Sequence, residues 1–250
     1  MRRTKHSRLG EKHITNEGYE VEIIEYFKST NCTIQFNDYN KTVLYNIQFS
    51  QIKNGHIKNP YHKSICNVGY LGVEKYNVKV NTKAYNTWNM MLYRCYNKNT
   101  QDTLPTYNDV SVCEKWHNFQ NFTEWFEDNY INNFHLDKDV LIKGNKVYSP
   151  ETCAFIPQEI NKLFTKNNIV RGELPIGVHY NKALKNKYVA TLTKNSKTIV
   201  LGYFSTPKEA FQAYKTAKEQ YIKEVANKWR GQITEEVYQA MYEYKVEITD

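Results

Sequence analysis

The chain has 250 residues, of which 40% are hydrophobic and 24% are charged, and these are ordinary values for a globular protein. No apolar run is long enough to span a membrane, so we expect no membrane partner. The basic start has no apolar segment behind it, which argues against a secretory signal. The five cysteines form no Cys-x-x-Cys pair. Their odd number and wide spacing favour buried free thiols in a reducing cytoplasm over a disulfide framework or a zinc knuckle.

The net charge of +8 is unevenly distributed along the chain. Residues 1–13 hold five basic residues and one acidic residue, and residues 14–173 are balanced. Residues 174–230 hold eleven basic and three acidic residues, whereas residues 231–250 hold one basic and five acidic residues. Two basic regions therefore bracket a neutral middle. A polyanion is the natural partner of such a chain, because phosphate contacts release condensed counterions. The alternative is a basic surface that serves only solubility.

Short runs with alternating apolar residues are typical of strands, and they occupy the first part of the chain after the basic arm at residues 1–13. The runs cover residues 19–26, 32–36 and 43–47, with turn-forming residues between them. We predict a small antiparallel β module over residues 14–72. Its basic and aromatic content fits contact with a DNA backbone, but a plain β-barrel adaptor fits equally well.

The next part of the chain carries aromatic residues at helical spacing. One face holds Trp88, Met91, Leu92 and Cys95, and a second face holds Trp116, Phe119, Phe122, Trp125 and Phe126. Such stripes are more often core than binding surface, so the spacing predicts two helices with Trp88, Trp116 and Trp125 mostly buried. Between them, residues 97–108 are predicted to be a polar loop containing Pro105.

Residues 135–164 change character again. Their pattern indicates a strand, a loop, a second strand and a helix, with Pro157 in the first helical turn.

The last part of the chain gives the clearest pattern, three short antiparallel strands followed by one helix. Ser205 or Thr206 caps this helix and Pro207 opens it. A second short helix closes the chain within the acidic segment 231–250. The fold class is therefore predicted to be α+β.

The region 174–230 resembles the ethylene-response-factor (APETALA-type) DNA-binding domain of plants, which also occurs in phage homing endonucleases. The matching segments are Gly177-Val178-His179, Lys187-Tyr188-Val189-Ala190, Val200-Leu201-Gly202-Tyr203-Phe204 and Pro207-Lys208-Glu209-Ala210-Phe211-Gln212-Ala213-Tyr214. The resemblance implies a three-stranded antiparallel sheet packed on a helix. It also implies that strand residues facing away from the helix contact the DNA major groove.

Alternation along the second strand separates the two faces of this sheet. It turns Tyr188, Ala190 and Leu192 toward the helix and Lys187, Val189, Thr191 and Thr193 away from it. By position in the motif, the resemblance adds His179, Asn181, Thr198 and Val200 to the outward set. It assigns anchoring of the DNA backbone to Lys182, Lys185, Lys187, Lys194 and Lys197. Plant members carry several arginines and tryptophans here, where this chain mostly has Thr, Lys and Val. A sheet that only packs on protein is the alternative.

Residues 84–164 resemble the HNH (ββα-metal) nuclease region of phage homing endonucleases, in a degenerate form. The matching segments are Trp88-Asn89-Met90-Met91-Leu92-Tyr93-Arg94-Cys95, Val112-Cys113-Glu114-Lys115-Trp116-His117-Asn118-Phe119 with Phe122, and the hairpin from Leu136-Asp137-Lys138-Asp139 to Asn161. The resemblance implies Asp137 and Asn161 as ligands of one divalent ion, Mg or Mn. Lys138 stands where the family has its base histidine, and Thr152 stands where it has the asparagine that orients that histidine.

Three interpretations of this hairpin remain open. The nuclease site is dead and the fold is kept for DNA binding, or another group serves as the base, or the carboxylates are ordinary charges at strand ends. In the second interpretation the base is His135, which shares a face of the strand with Asp137, or Lys138, or Asp139.

The sequence therefore predicts a double-stranded DNA-binding phage protein of the HNH homing-endonuclease type, acting in the cytoplasm of an infected bacterial host. Metal-dependent DNA nicking is left open, so whether the protein is an enzyme is undecided. The alternative is a catalytically inactive DNA-binding protein, regulatory or directed at host machinery.

Overall fold

The structure is a computed structural model. It describes residues 8–73, 75–164, 173–183, 185 and 187–248. Helices and several small sheets both occur, which confirms the α+β class. The chain divides into two compact units, Met1–Thr100 with Glu114–Thr123, and Gln101–Cys113 with Glu124–Asp250. Within the described ranges, no helix has the length and apolar character needed to cross a bilayer.

The first unit opens with a four-stranded antiparallel sheet in the order β1-β2-β3-β4. The strands are β1 Lys12–Ile14, β2 Glu20–Lys28, β3 Asn31–Phe36 and β4 Val43–Ile47, and the short helix α1 Phe49–Lys53 follows. Buried Val21, Ile23 and Ile34 pack with Ile52 of α1 to form its core. The predicted β module is therefore present as a sheet. β1 starts inside the predicted basic arm, of which residues 1–7 lie outside the described residues.

The helix α2 Thr82–Tyr96 is the first predicted aromatic helix, and Trp88, Met91, Leu92 and Cys95 are all buried on it. The second prediction is partly wrong. Trp116 lies in a separate 3-10 turn, Glu114–His117, and α4 Phe119–Asn129 begins after it. The reason is local, because Asn118 Oδ1 accepts the backbone N–H of Gln120 at 3.0 Å and so caps a new helix.

The burial predicted for the tryptophans holds for two of the three. Trp88 and Trp116 are fully buried, and Trp88 Nε1 donates to the carbonyl oxygen of Trp116 at 2.7 Å. Trp125 is only half-buried and stacks on Phe155 with 5.6 Å between the ring centroids. The hydrogen bond explains how a residue outside the helix still belongs to the core of the first unit.

The segment 97–108 is not the simple loop that its polar composition suggests. It contains the helix α3 Lys98–Thr103 and a 3-10 turn over Pro105–Tyr107. Asn97 Oδ1 accepts the backbone N–H of Thr100 at 3.0 Å, which caps the first turn of α3. Asparagine suits both a loop and a helix cap, so composition alone did not separate the two.

The predicted strand–loop–strand–helix segment of the second unit has one more strand than expected. Its elements are β6 His135–Asp137, β7 Val147–Tyr148, β8 Ala154–Ile156 and α5 Gln158–Phe164, and the short strand β5 Ser111–Val112 lies earlier in the chain. β6 pairs antiparallel with β8, whereas β7 pairs parallel with β5. The predicted second strand is interrupted because the backbone N–H groups of Thr152 and Cys153 both bond to the carbonyl of Ser149 and form a turn.

The last part of the second unit has the predicted sheet and helix. The strands are β9 Val178–Tyr180, β10 Tyr188–Lys194 and β11 Lys197–Phe204, and the helices are α6 Pro207–Trp229 and α7 Glu235–Glu243. The sheet is antiparallel in the order β11-β10-β9, and α6 packs against it. Thr206 Oγ1 accepts the N–H of Glu209, and Glu209 Oε2 accepts the N–H of Thr206, with Pro207 in the first turn. The predicted cap is confirmed in its Thr206 form.

One hydrophobic core runs through segments that the sequence divides into separate modules. Ile160 of α5, Leu192 of β10, Ile222 of α6 and Met241 of α7 all belong to the same buried cluster. Residues 231–248 are therefore packed on α6 through one face of α7, although their composition is acidic.

The five cysteines are free thiols. Cys32, Cys95 and Cys153 are buried, as expected, whereas Cys66 and Cys113 are only partly buried. Burial raises the pKa of the Cys153 thiol to about 12, so this thiol stays protonated at neutral pH.

Candidate nucleic-acid interface and the preceding hairpin

The pairing register defines which side chains lie on the face of the β9–β11 sheet that points away from α6, the outer face. Ala190 and Leu192 are buried in the core with α6, so the alternate residues of β10 point the other way. On that side Thr191 pairs with Val200, and Thr193 pairs with Thr198. Paired residues share a face, so the outer face carries the predicted outward residues of all three strands. They are Lys187, Val189, Thr191, Thr193, His179, Asn181, Thr198 and Val200.

The outer face is polar along its middle. His179 Nε2 and Thr191 Oγ1 are 2.8 Å apart, and the hydroxyls of Thr193 and Thr198 are 3.4 Å apart. Both pairs leave hydrogen-bonding capacity at the surface. Val189 is the exception to the expected accessibility, because it is only 9% exposed on the central strand.

Sequence reasoning missed Tyr203 on this face. Its pairing partner is Val189, and its side chain is 54% exposed. Simple alternation along β11 from Thr198 through Val200 does not include Tyr203. A β-bulge at Ala190 and Thr191 changes the register, however, so alternation counted from Thr198 assigns Tyr203 to the wrong face.

Several basic and polar residues that were predicted to contact DNA surround the outer face. Asn181, Lys182, Lys185 and Lys187 are exposed between β9 and β10. Asn181 Oδ1 accepts the N–H of Ala183 at 3.0 Å, which shapes that connection. Lys187 stands at the edge of the outer face itself, opposite Asn181.

Lys194 is a correction, because its side chain lies on the helix side of the sheet. Its ammonium forms an ion pair with Glu224 of α6, and it lies 5.1 Å from the centroid of the Tyr221 ring. Alternation from Ala190 through Leu192 already places Lys194 on that side. Lys197 pairs with Lys194 across the turn, so its stem starts from the helix side as well, although the residue is exposed.

Lys138 is a second correction, since its side chain is buried and its ammonium is occupied. The residue is 7% exposed, and Nζ donates to both carboxylate oxygens of Asp139 at 2.8 Å. It also donates to the carbonyl of Asn145 at 2.9 Å. All three donors of the ammonium are therefore used within the protein, which compensates its burial.

Two further polar side chains hold the backbone of the loop between β6 and β7. Asn145 Nδ2 donates to the carbonyls of Lys138 and Val147, at 2.8 and 2.7 Å. Thr152 Oγ1 donates to the carbonyl of Val147 at 2.8 Å. Sequence reasoning did not single out Asn145, although Gly144-Asn145 is a turn signal.

Asp137 caps the first turn of the loop between β6 and β7. Its Oδ1 accepts the N–H groups of Asp139 and Val140, at 2.8 and 2.7 Å. Burial raises the pKa of the Asp137 carboxyl, although the two N–H groups oppose the shift. His135 lies on the same side of β6 and is exposed. α5, which carries Asn161, packs against β6.

The aspartate that the resemblance implies as a metal ligand has a structural role in the loop. The Oδ1 atom of Asp137 serves the two backbone N–H groups of the loop, which is the role of a turn-capping carboxylate. Among the residues that the structure describes, no three His, Cys, Asp or Glu side chains are grouped as a metal centre.

Comparison of the chain with protein-family models, with curated proteins and with solved structures finds no match.

Proposed function

We propose that this protein binds double-stranded DNA through the outer face of the β9–β11 sheet. The observation that carries the proposal is that α6 covers one face of the sheet and leaves the other exposed, with hydroxyl, imidazole and ammonium groups on it. Strands are among the elements that proteins place in DNA grooves. The eleven basic and three acidic residues of 174–230 supply the charge that attracts a polyanion.

The chemistry of the outer face favours backbone anchoring over strict base readout. Lys182, Lys185 and Lys187 are exposed and suit phosphate oxygens, while Thr191 and Thr193 offer hydroxyls that bond to phosphates or to base edges. No arginine occurs between Arg171 and Arg230, so the bidentate pairing that best selects guanine is missing from this sheet. We therefore expect modest sequence preference.

The loop of the preceding hairpin supports binding without cutting over nicking. Lys138 is tied to Asp139 and Asn145, and Thr152 is tied to Val147. These two residues stand at the family's base and orienting positions, and each has a role within the loop. The hairpin then contributes to the fold of the second unit, and DNA binding is the activity of the sheet.

The binding proposal is tested by fluorescence anisotropy with a labelled duplex over about 50 to 200 mM salt. The Lys187→Ala variant should bind several-fold more weakly, and the slope of log affinity against log salt should flatten by about 0.9, one lost phosphate contact. Lys194→Ala is the matched control, because it removes the same charge from the helix side of the sheet. Binding that ignores salt, or equal losses in the two variants, would contradict the proposal.

Nicking is tested separately on supercoiled plasmid with magnesium or manganese and a chelator control. We expect no nicked product above background. Metal-dependent nicking that disappears in Asp137→Asn, with DNA binding unchanged, would show instead that the hairpin is a nuclease site.

A further inference from the structure

A cavity of about 780 Å³ lies in the second unit, lined by residues of α5, β9, β10 and α6. This volume falls within the range of small-molecule sites, roughly 300–1,000 Å³. Leu163, Ile176, Leu192 and Tyr214 give it apolar and aromatic walls. Such walls suit the carbon skeleton of a ligand better than they suit water.

Lys218 of α6 lines this cavity and differs from Lys215 and Lys228 of the same helix. Lys215 pairs with Glu219 at 2.8 Å, and Lys228 pairs with Glu159 at 2.6 Å. Lys218 is partly buried, and among the described residues its ammonium has no carboxylate or carbonyl partner. Burial lowers the pKa of Lys218 to about 8. An ammonium without a partner in a recess is stabilised when an anion binds beside it.

The edge of β10 beyond the start of β9 runs along the same cavity. The backbone N–H of Thr191 donates to the carbonyl of Gly177 at 2.8 Å, close to where β9 begins. The N–H of Thr193 points to the same edge, because alternate residues of a strand direct their amides the same way. Thr191, Thr193 and Asn195 all line the cavity. The edge therefore offers the backbone N–H of Thr193 to a polar ligand.

The other charged and titratable groups of the lining leave the positive charge of Lys218 uncompensated. Glu159 is already bonded to Lys228 Nζ and to Trp229 Nε1, at 2.6 and 2.7 Å. His179 is bonded to Thr191, and Lys162 adds a further positive charge.

We propose that this cavity binds a small organic anion, one carboxylate or phosphate group on an apolar body, with Lys218 as the partner of the anionic group. The apolar walls hold the body, and the backbone N–H of Thr193 at the edge of β10 orients the polar end. The proposal does not rest on DNA binding, because Lys218 belongs to α6 and not to the outer face of the sheet.

The test is calorimetric titration of the full chain with benzoate, thymidine monophosphate and inorganic phosphate. We expect at least one organic probe to bind with a Kd below about 1 mM and more tightly than inorganic phosphate. Lys218→Met should weaken that binding at least about tenfold, a loss of about 1.4 kcal/mol. Lys208→Met, a change of an exposed lysine on the same helix, should leave it unchanged.

Folding of the Lys218→Met protein is checked by thermal unfolding. Its Tm should equal or exceed that of the wild type, because an unpaired buried charge is removed. The proposal is overturned if neither organic probe binds with a Kd below about 1 mM, if both variants weaken binding equally, or if phosphate binds as tightly as the better organic probe. It is also overturned if binding of duplex DNA, and not of a small anion, depends on Lys218.

Discussion

At the scale of single residues, the use of a charged side chain depends on what surrounds it. Lys138 and Lys194 each look available in the sequence, and each is held by a carboxylate, of Asp139 and of Glu224. Lys218 looks like any lysine on the polar side of a helix, yet it lines a cavity without a partner among the described residues. The first two stabilise the fold, and only the third is left for a ligand.

Replacing Lys138 with Met should destabilise the protein by about 1–3 kcal/mol, because the carboxylate of Asp139 and the carbonyl of Asn145 lose a charged donor. The measurement is urea unfolding followed by circular dichroism. Lys146→Met is the control, since Lys146 pairs with Asp109 at the surface, where a pair contributes about 0–1 kcal/mol. If the two variants unfold at the same urea concentration, the loop does not depend on the Lys138 ammonium.

At the scale of elements, the sheet and α6 meet closely at Gly177. A side chain there would place Cβ 2.0 Å from an atom of the Tyr214 ring, and φ is +74°. Both facts require glycine just before β9. The close approach lets the ring of Tyr214 pack directly against the backbone that leads into the edge strand.

Gly177→Ala should therefore cost more than a backbone penalty alone. Gly144 has the same φ of +74°, but a Cβ at that position would meet no atom within 4 Å, so Gly144→Ala isolates the backbone cost of about 1–2 kcal/mol. We expect Gly177→Ala to lose about 1–3 kcal/mol beyond that, through overpacking against Tyr214. Thermal unfolding of the two variants measures the difference, and equal Tm values would mean that α6 can move away at no cost.

At the scale of the whole molecule, the second unit has one hydrophobic core. Segments that the sequence pattern divides into separate modules share this core. Ile160 lies in the hairpin region and is fully buried, and it belongs to the same cluster as Ala190 of the sheet and Met241 of α7. The proposed DNA-binding sheet is therefore stabilised by segments outside residues 174–230. Cutting the chain at the boundaries suggested by composition would expose parts of this core.

Ile160→Ala should weaken the sheet as well as the hairpin, by about 2–5 kcal/mol. Hydrogen exchange of the β10 amides, measured in the full chain, reports the stability of the sheet. Ile142→Ala, at a position that is 52% exposed, is the control and should change the exchange little. Faster exchange confined to residues 135–164 would show that the sheet and helix fold independently of the hairpin.

The sequence by itself determined the elements whose signals are local. Thr206, Pro207 and Glu209 lie within four residues of one another, so the start of α6 is readable from the chain. Alternation along β10 likewise separates the outer face from the helix face, and it would have assigned Lys194 correctly if it had been followed one step further.

Only the tertiary structure decided the features that depend on partners far apart in the chain. β6 pairs with β8 and not with β7, and Tyr203 reaches the outer face through a bulge. The Lys138 ammonium donates to the carbonyl of Asn145, seven residues further along the chain. Lys218 lines a cavity whose other walls are formed by α5 and β9. Burial and ion pairing arise when the chain packs, so residue type and spacing specify which groups carry charge but not which of them remain available.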